Sequence, residues 1–255
     1  MNYITLKKKI FSGMPLDEYT RIGGDYYKLI DNCVLICFGI RRMRCAFDIQ
    51  YSVYPLTKGP SIMGVFDLKR GFIGQSAYLR YCQDKGLDAT NSLTKLMPAF
   101  AKSDSEMDQL IRFARDVISY MLDILNGYDS VRDCCSLLME LYPVDENFRM
   151  VIPQEAETVC QALLLAKERE TSGMYAREFR TKWEAGVRAQ GHNCLINEWF
   201  IKYIDCPKTG DYSPIYDDML EGYTRMVNVL NNTKLRLTDK AVNDFKESIA
   251  WMIKK

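Results

Sequence analysis

Histidine is nearly absent from this 255-residue chain, with His192 the single instance. A Ser-His or Cys-His catalytic system would therefore have to run through that one residue. It lies in Gln190-Gly191-His192-Asn193, which reads as a helix-to-helix turn. Cys194 follows too closely for ordinary nucleophile–base geometry on one helix start, so a solvated turn residue is expected. Phosphate loops are missing too, since Gly23-Gly24 is not G-x-x-x-x-G-K-[ST] and Gly71-Phe72-Ile73-Gly74 is not G-x-G-x-x-G. No H-x-x-x-H, EF-hand, zinc-knuckle or C-x-x-C spacing occurs, and the expectation is that the chain needs no cofactor and no metal.

No run approaches the roughly 18 apolar residues of a membrane span, so no membrane association is expected. After Met1-Asn2-Tyr3-Ile4-Thr5-Leu6-Lys7-Lys8-Lys9 there is no apolar stretch or small-residue cleavage site of a signal peptide. A cytoplasmic protein is the reading. Net charge is only +1, but it is unevenly spread. Residues 1–100 carry 14 basic against 8 acidic side chains, leaving 20 against 25 in the remainder. Such halves either complement each other internally or favour partners of opposite sign.

Nine cysteines are present. Cys33, Cys37 and Cys45 fall in strand patterns and Cys134, Cys135 and Cys160 in helical ones, with Cys82, Cys194 and Cys206 scattered. Without a second ligand pair they read as small buried hydrophobes.

The best-defined stretch runs from Asp25 to Leu56. Asp25–Ile30 and Cys33–Ile40 are two β-rich runs separated by Asp31-Asn32, a pair suited to the positive φ of a tight hairpin. The second run is apolar almost throughout, which predicts a central strand covered on both faces. In Cys45–Leu56, Cys45, Phe47, Ile49, Tyr51 and Val53 alternate with other residues at the period of a half-buried strand. Pro15 and Gly23-Gly24 punctuate the entry to this meander. Ile62–Lys69 reads as a fourth strand, weakened by Gly64.

From Ser103 the period changes to 3.6. Ser103 and Glu106 form a capping-box pattern ahead of Met107, Leu110, Ile111, Ala114, Val117, Ile118, Met121, Leu122 and Leu125. Gly127 is the expected stop, in the left-handed conformation. Further helices are predicted from Ser130, from Pro153 with an interruption at Gly173, over 194–204, over about 215–231, and from Thr238. The Trp199-Phe200 helix is expected against the 103–126 helix. The sum is an α+β chain: an N-terminal antiparallel meander of about four strands over 1–100, then a mainly helical portion over 101–255, packed as one unit.

The feature with chemistry in it is basic. Arg41, Arg42 and Arg44 lie in or beside the turn after the central strand, and Lys69-Arg70 end the fourth run. An antiparallel meander would gather these five cations at one end of the sheet. With Tyr26, Tyr27, Tyr51 and Tyr54 they would suit single-stranded nucleic acid or a phosphorylated partner, although sheet tyrosines are more often core. Acid pairs occur at Asp17-Glu18, Asp145-Glu146 and Asp217-Asp218 and read as charges flanking helix starts. The leading expectation is a non-enzymatic binding or protein-interaction module, working through another protein or self-association. The alternatives are a nucleic-acid or anion binder using the basic turn, and a carboxylate-based hydrolase.

Overall fold

The structure is a computed structural model that describes residues 3–42, 47–60, 66–67, 71–72, 74–89, 103–144, 153–190 and 198–253. Helix α1 (Tyr3–Phe11) leads into β1 (Thr20–Ile22), β2 (Asp25–Ile30), β3 (Val34–Arg42) and β4 (Phe47–Pro55), followed by a 3₁₀ turn at Leu56–Lys58. Two-residue strands β5 (Phe66–Asp67), β6 (Gly71–Phe72) and β7 (Gln75–Ser76) precede α2 (Ala77–Asp84). Then come α3 (Asp104–Leu125), α4 (Val131–Leu141), α5 (Pro153–Leu165), α6 (Arg169–Ala189), α7 (Glu198–Thr209), α8 (Ser213–Leu230) and α9 (Asp239–Ile249). The fold is α+β, with an antiparallel sheet followed by helices.

The sheet has five strands in the order β1-β2-β3-β4-β7. Its centre follows the sequence expectation. Asp31 and Asn32 adopt φ of +47° and +56°, which turns β2 into β3, and Val34 to Ile40 are buried without interruption. The edges differ from it. Thr20–Ile22, too short to show a period, forms β1 and pairs Thr20 with Tyr27 around a turn containing Gly23 at φ +63°. The expected fourth strand does not join the sheet in its described part. Phe66–Asp67 pairs with Gly71–Phe72 in a separate two-stranded ladder, and β4 is bordered by Gln75–Ser76.

The chain divides into two compact units, one comprising residues 1–28, 36–52 and 62–128 and the other 29–35, 53–61 and 129–255. In the first, α3 packs against α1 and α2. Aromatic rings fill its core: Phe38 of β3 stacks on Tyr26 at 5.6 Å and meets Phe11 and Tyr19 edge-on. Arg115 of α3 donates to the carbonyls of Lys9, Ile10 and Ser12, supplying partners for the carbonyls that a helix C-terminus leaves open.

In the second unit α4, α5, α6 and α7 pack in succession, and α8 lies along the 3₁₀ turn. That approach rests on Gly222: a Cβ there would fall 1.7 Å from the Thr57 carbonyl oxygen. The rings of α7 meet partners in this unit, with Phe200 5.3 Å from Phe179 of α6, where the sequence pattern had suggested the long helix α3. Gly173 does not interrupt a helix. The break comes at Lys167, at φ +63°, where Glu168 N–H bonds the Leu163 carbonyl and Lys167 N–H the Leu164 carbonyl, a Schellman stop. Gly173 lies inside α6, where a Cβ would come 2.7 Å from Pro207 Cγ. Pro207 itself is held within α7 and does not end it. Gly127 follows α3 without the expected positive φ, the helix closing on 3₁₀-type bonds from Gly127 to Ile124 and Tyr128 to Leu125.

Candidate functional site

Arg41 and Arg42, expected in a basic turn, are instead the last residues of β3. Arg44, Lys69 and Arg70 lie outside the described residues, as does His192. Arg41 does not stand ready for an incoming anion. Its Nη1 is 2.7 Å from Oδ1 of Asp25, and Lys7 of α1 reaches the same oxygen at 3.3 Å. The Asp25 side chain is 6% exposed, so two cations enclose one buried carboxylate. Lys7 also donates to the Ile40 carbonyl, which accepts from the Tyr3 hydroxyl as well. Burial lowers the Lys7 amine below its ordinary range, with Asp25 opposing that shift. The cluster exists because β3 has a glycine at position 39: a Cβ there would sit 2.3 Å from Asp25 Oδ1. Arg42, one residue on, is exposed. Tyr26, Tyr27, Tyr51 and Tyr54 are all buried, so they belong to the core and offer no face for stacking bases.

The acid pairs do not act as pairs. Glu18 bonds Lys28, and Asp218 pairs with Lys202 of α7. Asp145-Glu146 lies outside the described residues. Neither Asp17-Glu18 nor Asp217-Asp218 flanks a helix start as expected: the first precedes β1 and the second lies within α8.

A denser polar network, not foreseen in the sequence, joins the 3₁₀ turn to α5 and α7 in the second unit. Thr57 Oγ1 donates to Gln161 Oε1 at 2.6 Å, Gln161 Nε2 donates to the Tyr203 hydroxyl at 3.0 Å, and that hydroxyl donates to Glu157 Oε1 at 3.1 Å. Lys58 pairs with the other oxygen of Glu157. Gln161 and Tyr203 are buried, and burial pushes the phenol well up. Each polar group here has a neighbour inside the protein, as a buried network requires. It fastens the turn to the helices.

A concave, charged surface of this unit lies at the segment joining α8 to α9. Lys234-Leu235-Arg236-Leu237-Thr238 runs with alternating exposure: Leu235 and Leu237 are buried, while Lys234, Arg236 and Thr238 face out. The Thr233 carbonyl accepts from Arg236 N–H in a tight turn, and both cations line the same groove. The Thr233 hydroxyl accepts from Leu235 N–H and fixes the start of the segment. Thr238 accepts from Ala241 N–H as N-cap of α9 and fixes its end. On the first turn of α9, Lys240 adds a third exposed cation. With Leu29 of β2 and Asn32 of the β2–β3 turn these residues border a groove of about 400 Å³. Asp244 is its one acidic lining residue, and no described carboxylate pairs with Lys234, Arg236 or Lys240. The sequence signal for this groove was the alternation Lys-Leu-Arg-Leu, a strand-like pattern too short to stand out between two helices.

Among the described residues no helix is long and apolar enough to cross a membrane. Comparison with known proteins finds no matching family model, no matching curated protein and no matching solved structure.

Proposed function

We propose that this chain is a binding module that takes an anionic partner in the groove between the β2–β3 turn and the α8–α9 segment. The observation that carries this reading is the concentration of three exposed cations, without carboxylate partners among the described residues, on one concave surface. Like charges lining one groove repel one another, and an anion relieves that repulsion while gaining charge-assisted hydrogen bonds. Arg41, by contrast, already has Asp25 as counter-charge.

Retention on a polyanion column tests the proposal. The wild-type chain is expected to bind at low salt and elute as salt rises, because exposed charge pairs are screened. A Lys234→Glu/Arg236→Glu/Lys240→Glu variant should flow through, and Arg42→Glu should elute close to wild type. Loss of retention in Arg42→Glu, with retention kept in the triple variant, would overturn the assignment and return the anion surface to the end of β3.

A further inference from the structure

Taking the groove as the binding surface, we infer that its ligand is a phosphate monoester carried on a small, partly apolar body. Charge balance comes first. Lys234, Arg236 and Lys240 against Asp244 leave the lining with a surplus of two positive charges. A phosphate monoester carries about −1.5 to −2 near neutral pH, which matches that surplus, whereas a single carboxylate neutralises half of it.

Donor chemistry points the same way. Arg236 presents a planar fork of N–H groups that meets two phosphate oxygens at once, and the lysines add compact point charges. Thr238 uses its hydroxyl oxygen to accept from Ala241 N–H, which leaves its hydroxyl proton for an oxygen of the ligand. The capped start of α9 is thus a source of one side-chain donor, and the inference does not depend on its helix dipole.

Leu29, Leu235, Leu237 and Ala241 supply an apolar part of the same lining. At about 400 Å³ the groove lies toward the small end of the range for small-molecule sites. A phosphate seated over the cations would leave room for a compact organic body against these aliphatic groups.

Calorimetric titration with glycerol phosphate, with acetate and glycerol as controls, tests this on the full chain. Glycerol phosphate is expected to bind at least tenfold more tightly than acetate, and glycerol not at all. Arg236→Gln and Lys240→Gln, both at exposed positions, should each weaken binding by about tenfold with unchanged circular dichroism. Equal affinity for glycerol phosphate and acetate would overturn the ligand class. Phosphate binding undiminished in both variants would overturn the site. If selectivity fails while the triple charge reversal still abolishes polyanion retention, only the phosphate assignment falls. If the triple variant is retained like wild type, the reading of the groove falls with it.

Discussion

At the scale of single residues, the buried carboxylate of Asp25 is the most consequential group in the first unit. Two cations share its Oδ1, and all three side chains are at most one-fifth exposed. A buried ion cluster adds little over a well-packed apolar one, but removing one member strands the others without counter-charge. Asp25→Asn is therefore expected to destabilise the chain by roughly 3 kcal/mol, within the range for breaking buried pairs, read as a lower urea midpoint. A midpoint unchanged from wild type would show that water already reaches the cluster. Lys167 predicts the opposite sign. It holds φ +63° at an exposed position, a conformation that costs an L-residue roughly 1–2 kcal/mol. Lys167→Gly should raise stability by about 0.5–1 kcal/mol, the glycine's greater freedom in the unfolded chain offsetting part of the gain, again in urea. The same residue explains why the α5–α6 break was not legible. Gly86, also left-handed at φ +62° just beyond α2, marks its helix end in the sequence. A lysine doing the same work carries no such mark, so the break was read onto Gly173, which serves packing against Pro207.

At the scale of elements, what the sequence revealed was local chemistry. Asp31-Asn32 specified the tight turn, and Ser103, Ser130 and Thr238 cap α3, α4 and α9 through their hydroxyls, each satisfying an N–H within three residues. The hairpin turn has further partners that no local pattern shows. Asp31 Oδ2 accepts from Val131 N–H at the start of α4, and the Tyr223 hydroxyl donates to the Asn32 carbonyl. Contacts spanning a hundred residues or more leave no trace in spacing. The same holds for the short strands β1 and β7, whose pairing is set by their neighbours and whose lengths are too small for a period. Gly222 is the plainest case, because a helical glycine usually signals weakness. An exposed helix would gain about 1 kcal/mol from Gly→Ala. Here the new Cβ would meet backbone, the Thr57 carbonyl oxygen at 1.7 Å, and neither the turn nor α8 can give way cheaply. Gly222→Ala is expected to lower stability by at least ~2 kcal/mol, as overpacking does, and thermal melting would show it. A raised melting temperature would mean that α8 stands away from the turn.

At the scale of the whole molecule, the cysteines read from the sequence as buried hydrophobes tie stability to pH. Cys33, Cys37, Cys82, Cys134, Cys135, Cys160 and Cys206 are buried and unbridged. Burial raises the thiols of Cys33, Cys37 and Cys160 far above their ordinary value near 9, that of Cys135 to about 12 and that of Cys206 to about 11. The phenols of Tyr175, Tyr203 and Tyr223 are raised by burial as well. In each case the folded state holds a proton that the unfolded chain gives up first. Their contribution is thus fully present below the unfolded thiol value near 9. It declines as pH rises above 9, the phenols joining from about 10, by about 1.4 kcal/mol per pH unit for each fully protected group. The urea midpoint should accordingly hold steady through pH 8 and fall steeply between 9 and 10.5. Cys160→Ala, which removes one such group, should show a shallower fall than wild type by about one proton. A midpoint independent of pH across that interval would mean the thiolates are as well accommodated in the folded chain as in the unfolded one, contrary to their burial.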